Sequence, residues 1–305
     1  MIGFLMRRIL LAIPLLLGVA TLVFSLIHLI PGDPVQVMLG AGAGQADVLD
    51  LRHRLGLDRP LLSQYADFMG GLARGDLGLS LRYDDPVTGL LAERYPATLL
   101  LAASSLLLAI ALALPAGVAS ALRPGGAVDR LTSAASALAL SLPSFCLGPL
   151  LILLFAIRLD WLPVSGMDSP RSVVLPALTL AASLAALLAR LLRASLLEEL
   201  RALHVRAARS RGLSRLAATV RHALRLAVLP VLTVAGLQLG SLLTGAILTE
   251  TIFAWPGLGR LLVQAIAHRD YPLVQGCVLL IAATYVAVNL ATDLVVALLD
   301  PRVVP

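Results

Sequence analysis

The chain has 305 residues, of which 59% are hydrophobic and only 14% are charged. Ordinary globular proteins carry roughly 25% charged residues, so this composition excludes a soluble domain and indicates an integral membrane protein. The formal charge of +6 comes from 24 arginines and no lysine. A chain without lysine has neither a Walker A phosphate loop nor a Schiff-base lysine. Any work that it performs with ATP therefore requires a separate ATPase subunit.

Apolar stretches of about 20 residues are long enough to cross a bilayer as helices. The sequence contains six of them, at 9–30, 98–121, 133–157, 173–192, 227–248 and 274–299. The first is longer than a signal-peptide core of roughly 7–15 residues, so we interpret it as a retained span. The sequence thus predicts an all-α membrane protein with six transmembrane helices. Cys146 and Cys277 lie in apolar spans and are expected to be buried, unreactive thiols.

The arginines are distributed unevenly among the loops, and this distribution predicts the orientation. Nine of them lie between Arg190 and Arg225, in a stretch with only two acidic residues. When that stretch is placed inside the cell, the inner loops hold 14 arginines and the outer loops 10. Six of the outer arginines lie in the long 31–97 segment, and long loops translocate largely regardless of charge. Both termini are therefore predicted to be cytoplasmic.

These predicted spans divide the chain into four parts. They are an N-terminal tail with the first helix (1–30), an extracytoplasmic cap (31–97), a transmembrane core (98–299) and a cytoplasmic tail (300–305). The cap is too long for a plain connector. We expect it to contain helices at 47–55 and 61–72, followed by a turn-rich stretch at 75–80.

The basic loop contains the segment Arg206-Ala207-Ala208-Arg209-Ser210-Arg211-Gly212-Leu213. Its two alanines predict a slim helix that a partner surface can approach closely. Gly212 suits the left-handed residue that ends a helix, and Ser214 suits the N-cap of a second helix that starts near Arg215. An alternative interpretation is a polybasic loop that lies on anionic lipid.

Several motifs occur in order along nearly the full length of the chain. They are Pro31-Gly32-Asp33-Pro34, Gly56-Leu57-Asp58-Arg59-Pro60, Gly75-Asp76-Leu77-Gly78-Leu79-Ser80, Arg221-His222-Ala223-Leu224-Arg225, Leu229-Pro230, the block from Glu250 to Arg260, Arg269-Asp270-Tyr271-Pro272 and Leu299-Asp300-Pro301-Arg302. As a set they resemble the first permease subunit of bacterial ABC importers for dipeptides, oligopeptides and nickel. The resemblance implies the type I ABC importer permease fold, with the cap between helices 1 and 2.

The resemblance also implies a role for the basic loop. The family's Glu-Ala-Ala-x3-Gly motif is matched by Arg206, Ala207, Ala208 and Gly212, with arginine in place of glutamate. Together with Arg209 and Leu213, these residues would form a coupling helix within the loop 193–226. That helix would lie in a cleft of an ATPase subunit and transmit ATP-driven closure to the spans.

The partners implied by the resemblance are a homologous second permease, two ATPases that bind ATP and Mg, and an extracytoplasmic substrate-binding protein. The chain itself would be a non-catalytic subunit of the bacterial inner membrane that forms half of a passage for di- and oligopeptides. It would bind no cofactor, metal or nucleic acid directly. The same machinery importing nickel, a metal chelate, glutathione or a related small solute is an alternative. A self-sufficient channel or ion-coupled transporter is an alternative of a different class.

Polar and small residues in the fifth span are candidates for the translocation path. Gly236, Gly240 and Thr244 recur every four residues on one helical face. Such a face allows close helix packing, and the alternative is that it lines a passage. Gln238 and Ser241 lie nearby and offer hydrogen bonds to a solute.

The sixth span carries Asn289 and Asp293 one helical turn apart. An intramembrane acid usually faces the bundle interior or water, so Asp293 has either a structural or a passage role. Glu250 lies just beyond the fifth span. We expect it to hold the turn at 255–257 in place, with substrate contact as the alternative.

Overall fold

The computed structural model of the chain describes residues 2–29, 34–39, 44–54 and 56–299. Within these ranges the regular structure is helical, apart from one isolated β-bridge between Leu79 and Pro86. The predicted all-α class is confirmed. The motif residues 31–33 and the tail 300–305 lie outside the described residues.

The helices follow one another in the order of the spans and cap elements that the sequence predicts. They are α1 Ile2–His28, α2 Pro34–Leu39, α3 Gln45–Arg54, α4 Leu61–Arg74, α5 Val87–Leu122, α6 Ala127–Ser141, α7 Ser144–Leu151, α8 Val174–Glu199, α9 Leu203–Ser210, α10 Arg215–Ala218, α11 Leu224–Ile252, α12 Leu258–Ala267 and α13 Tyr271–Leu299. Two π-helical segments, Ile152–Arg158 and Thr219–Ala223, continue α7 and precede α11.

Four stretches of the described chain are long and apolar enough to cross a membrane. They are Val87–Leu122, Pro170–Glu199, Arg215–Leu243 and Tyr271–Val295. Within α1, the stretch Leu10–Ser25 is a shorter apolar helix.

The predicted third span, 133–157, is not one straight helix. The helices Ala127–Ser141 and Ser144–Arg158 meet at an angle of 108°. Pro143 explains the break, because proline has no N–H and disfavours helical geometry in the residue before it. Accordingly, Leu142 is extended, with φ −88° and ψ 118°. The predicted third apolar segment is therefore a bent pair of helices rather than one straight helix.

Helix α8 lies at the centre of the bundle and packs against α5, α6, α7 and α11. It is the most enclosed of the long apolar helices, since 67% of its apolar 18-residue stretch is buried inside the protein. Small residues allow this close approach. A Cβ atom on Gly117 of α5, for example, would lie 3.0 Å from the Leu192 side chain. The largest hydrophobic cluster therefore joins α5, α8 and α11, while α13 packs against both α11 and α1.

The cap residues pack on the end of α1. The Tyr65 hydroxyl lies 2.9 Å from Thr21 Oγ1, and the rings of Tyr65 and Phe68 contact Phe24. The predicted cap helices and the turn after Gly75 are confirmed by α3, α4 and the left-handed Gly75. The predicted boundary at residue 97 differs, because α5 already begins at Val87.

A buried carboxylate ties the cap to the start of α13. Asp270 is 1% exposed. Its oxygens accept hydrogen bonds from the Ser80 hydroxyl and from the backbone N–H groups of Leu81, Arg82 and Leu273. Since removal of the carboxylate would leave several donors unpaired, this contact fixes the turn 80–82 on the bundle.

A second buried carboxylate organises the same end of the bundle. Glu250 is 0% exposed. It accepts hydrogen bonds from the Thr98 hydroxyl (2.6 Å) and from the Arg260 N–H (3.0 Å). The Trp255 indole donates to the Ala97 carbonyl at 2.9 Å. A Cβ on Gly257 would come within 2.4 Å of the Glu250 carboxylate. The predicted structural role of Glu250 at this turn is therefore supported by direct contacts.

Replacing Glu250 with alanine should destabilise the protein, because it leaves the Thr98 hydroxyl and the Arg260 N–H without their acceptor. We expect a loss of about 2–4 kcal/mol, read as a lower melting temperature of the detergent-purified protein. Glu93→Ala is the matched control, since Glu93 is an exposed acid on α5 near the same end. Equal melting temperatures for the two variants would contradict the structural role.

Candidate functional site

The loop between α8 and α11 folds as the sequence predicts. Helix α9, Leu203–Ser210, is followed by Gly212 in the left-handed conformation, with φ +94°. The Ser214 hydroxyl then accepts a hydrogen bond from the Ala217 N–H (3.3 Å) and caps α10. The two short helices therefore meet at a turn that only a glycine adopts without strain.

The two faces of α9 differ in burial. Val205 is 0% exposed and belongs to the central hydrophobic cluster, and Ala208 is also buried. Arg206, Ala207 and Arg209 are exposed on the other side. The structure thus corrects one detail of the prediction. Ala207 offers a slim exposed surface, whereas Ala208 packs against the chain itself because it lies three residues after Val205, on the same helical face.

The connection from α9 to the long helix α11 packs one of its faces on the bundle. Leu213 packs at the edge of the central cluster. Ala218, Thr219 and Ala223 are each 0% exposed in α10 and the π-helical segment that follows. A force applied to α9 would therefore pass into α11 through packed side chains rather than through a flexible linker.

An ion pair that the sequence analysis missed holds α8 beside the loop at 123–126. Arg193 Nε and one terminal nitrogen donate to the two oxygens of Asp129, at 2.6 and 2.8 Å. Asp129 also accepts from the Gly125 N–H at 2.8 Å. The sequence did contain a clue to this ion pair, because Asp129 is the one acidic residue between residues 122 and 132. This bidentate pair fixes the position at which the chain leaves α8 toward α9.

The glycine face of α11 packs against α13. A Cβ on Gly236 would lie 2.2 Å from the Thr292 side chain, and one on Gly240 would lie 2.5 Å from the Tyr285 ring. Both distances are too short for a side chain, so these glycines permit close helix contact. Of the two readings of this face, the geometry supports helix packing. The side chain of Thr244 lies outside what the structure describes.

Gln238 and Ser241 do not belong to this packed seam. On a helix of 3.6 residues per turn, Gln238 lies nearly opposite Gly236, and Ser241 lies about 100° from Gly240. Gln238 is partly exposed and Ser241 is exposed. In the part of the chain that the structure describes, neither side chain bonds to another residue. Both remain available to a solute or a partner.

The two candidate path residues of α13 both have partners within the chain. The Asn289 amide donates to the Tyr285 carbonyl at 3.0 Å. Asp293 pairs with Arg8 of α1 at 2.6 Å. The ion pair favours the structural reading of Asp293. The four candidate path residues whose side chains are described therefore do not form one cluster, because Gln238 and Ser241 lie away from the seam that α13 occupies.

Ser183 is a further polar candidate that the sequence analysis did not single out. It is exposed, although it lies in the middle of α8, the most enclosed helix. The sequence did contain a clue to this residue, because Ser183 is the one hydroxyl in the alanine and leucine run 180–189.

Enlarging Gly240 should disturb the α11–α13 seam, because the added methyl group meets the Tyr285 ring. We expect Gly240→Ala to cost about 1–3 kcal/mol of stability, measured as a lower melting temperature in detergent. Gly18→Ala is the control, since Gly18 is also helical but has no atom within 4 Å of an added Cβ. Adding Tyr285→Leu to Gly240→Ala should restore part of the loss, and no recovery would argue against this contact.

Comparison with protein families gives two matches that together cover most of the chain. Residues 113–305 match the binding-protein-dependent transport system inner membrane component, and residues 1–102 match the N-terminal region of such membrane components.

Curated relatives align over nearly the whole chain. The di/tripeptide transport system permease protein DppB of Pseudomonas aeruginosa is 42% identical over 332 residues, covering 99% of each protein. The glutathione transport system permease protein GsiC of Escherichia coli K12 is 40% identical over 304 residues, also covering 99% of each. The dipeptide transport system permease protein DppB of Alkalihalophilus pseudofirmus is 39% identical over 331 residues, with the same coverage.

Solved structures show a similar fold at lower identity. The MetNI methionine ABC transporter in inward facing conformations gives a TM-score of 0.57 at 21% identity, covering 69% of this chain and 96% of that one. An amino acid ABC transporter crystallised with histidines gives 0.52 at 19% identity, covering 71% and 95%. The chain therefore belongs to the inner membrane components of binding-protein-dependent transport systems, as an ABC importer permease of the dipeptide family.

Proposed function

We propose that this chain forms one half of the translocation pathway of an ATP-driven importer for small peptides. A homologous second permease completes the passage, and two ATPases that carry ATP and Mg bind at the loop 193–226. A substrate-binding protein delivers peptide from outside to the cap end. The chain itself catalyses no covalent reaction.

Six membrane spans with both termini in the cytoplasm fit the helices that the structure contains. The structure has four long apolar stretches, or five spans if the bent pair counts as one, and the shorter apolar helix in α1 would be the sixth. The nine arginines from Arg190 to Arg225 support a cytoplasmic position for the α8–α11 loop in a bacterial inner membrane. The cap then lies on the opposite, extracytoplasmic side.

The exposed face of α9 is the observation that best supports a contact with the ATPase. Arg206, Ala207 and Arg209 are exposed, while Val205 anchors the opposite face in the central cluster. This arrangement presents a small, positively charged surface that is mechanically joined to α11. Since the chain has no lysine for a phosphate loop, ATP hydrolysis must come from the subunit that occupies this surface.

Ala207→Trp tests the docking surface, because an indole on the exposed face prevents close approach of the ATPase. We expect co-purification with the ATPase to fall by about tenfold or more, with normal membrane insertion and an unchanged melting temperature. Ala194→Trp is the control, since Ala194 is an exposed alanine near the end of α8. Ala208 is unsuitable because it is buried. Unchanged association in Ala207→Trp would place the docking surface elsewhere.

Peptides are the favoured substrates, because relatives that align over 99% of this chain at 39–42% identity are named for dipeptides, di- and tripeptides and glutathione. Uptake by the complete transporter in proteoliposomes tests this assignment. We expect ATP-dependent accumulation of a labelled tripeptide, competition by glutathione and no accumulation of nickel ions. Uptake by the permeases alone, without ATPases, would instead support a self-sufficient channel or ion-coupled transporter.

A further inference from the structure

The ion pair between Asp129 and Arg193 joins the start of α6 to the end of α8. Asp129 lies in the first turn of α6 and is 4% exposed. One of its oxygens accepts from Arg193 Nε at 2.6 Å, and the other accepts from an Arg193 terminal nitrogen and from the Gly125 N–H, both at 2.8 Å. Two parallel hydrogen bonds restrict the orientation of both side chains, so the pair holds the two helices at a defined relative position.

The polar character of this contact favours a positioning role. Apart from Thr179, the buried residues of α8 are alanine, leucine and proline. An ion pair that is removed from water often adds no stability over apolar residues of similar volume, because both charges lose hydration. The best-attested use of such groups is to select one register of packing among several. The pair is therefore better explained by the geometry that it imposes than by the stability that it adds.

Helix α6 has few other contacts that could fix its position. It packs against α8 and α5, whereas Val128, Leu131 and Leu138 on its other sides are 48%, 71% and 62% exposed. The structure describes the whole of α6, and its buried residues are Asp129 and Ser136. Because no large apolar side chain of α6 is buried, the Asp129 contact is the strongest constraint on the start of this helix.

The segment between Arg193 and the docking helix α9 has little freedom. Helix α8 continues to Glu199, and Leu196 within it is 0% exposed. The N–H groups of residues 200–202 donate to carbonyls of α8, and the Ala202 carbonyl accepts from the Arg206 N–H of α9. A displacement of α9 would therefore reach Arg193 through hydrogen-bonded backbone rather than through an open linker.

We propose that the Asp129–Arg193 pair positions α6 relative to the docking helix, so that α6, α8 and α9 move as one body when the ATPases close. This inference rests on the proposed ATPase contact at α9. Both residues act through the helices that they join and are positioning residues. Without the pair, α6 and the bent segment that it begins no longer follow α9 fully, and part of the ATP hydrolysis is uncoupled from import.

The number of trialanine molecules imported per ATP hydrolysed, measured with the complete transporter in proteoliposomes, tests this role. We expect Asp129→Asn and Arg193→Gln each to lower this ratio about three- to tenfold, while co-purification with the ATPase is unchanged. The double variant should lower it no further, because residues that act through one shared contact are not additive. Arg190→Gln is the matched control, since Arg190 is an exposed arginine on the same helix, and it should leave the ratio unchanged.

A purely stabilising role would give a different pattern. The single variants would then lower the melting temperature, but the assembled transporters would keep the normal ratio of import to ATP hydrolysis, and this result would overturn the proposal. A further fall of the ratio in the double variant would also overturn it, because the two residues would then act separately.

A distance between spin labels tests the rigid connection directly. The labels replace two exposed side chains, through Leu131→Cys on α6 and Arg201→Cys just before α9. A Cys146→Ala background is required, because Cys146 is exposed and only Cys277 is buried, which corrects the expectation that both thiols are buried. We expect the distance to be the same with and without ATP, and to shift or broaden in Arg193→Gln. A change on ATP binding with the pair intact would overturn the proposal.

These measurements separate the inference from the proposed function. If the unaltered transporter imports trialanine with ATP but the ratio does not depend on Asp129 or Arg193, peptide import stands and only the positioning role fails. If the unaltered transporter shows no ATP-dependent import, the import assignment fails and the inference fails with it.

Discussion

Polar groups that enter a bilayer must find partners inside the protein or border water, and this constraint organises the whole chain. Glu250 and Asp270 are buried at the cap end, where hydroxyl and backbone donors surround them. Asp129 and Asp293 are each paired with an arginine from another helix. Because a buried carboxylate without partners is strongly disfavoured, each of these four residues fixes the relative position of two segments that are distant in sequence.

Helix α8 lies at the centre of the bundle, so the other helices can be positioned relative to it. This helix is covered by its neighbours over most of its length and leads directly into the basic loop. Arg193 fixes its basic-loop end to the turn before α6, and Val205 then anchors α9 in the same hydrophobic cluster. The proposed docking surface on α9 is therefore attached directly to the hydrophobic core. A surface built in this way suits the transmission of a mechanical displacement, which a flexible loop would absorb.

Some sides of the helices pack tightly within the chain, whereas others remain exposed. The α11–α13 seam is closed so tightly that its glycines leave no room for a side chain. Gln238, Ser241 and Ser183 lie away from that seam, and Ser141, Pro143 and Phe145 at the α6–α7 bend are exposed. A second permease subunit would enclose such surfaces between the two proteins. If the passage forms at this interface, as proposed, each chain can keep its own interior closed.

The sequence by itself determined the membrane class, the approximate positions of the apolar segments, the absence of a Walker A lysine and the local structure of the basic loop. These features depend on composition, loop charge and short-range rules, so Gly212 and Ser214 could be assigned without a fold. Only the tertiary structure decided which alanine of α9 is exposed, that Asp129 pairs with Arg193, that Asp293 pairs with Arg8 and that the third apolar segment bends at Pro143. Each of these depends on which helix lies beside which, and a linear pattern of apolar and polar residues does not contain that information.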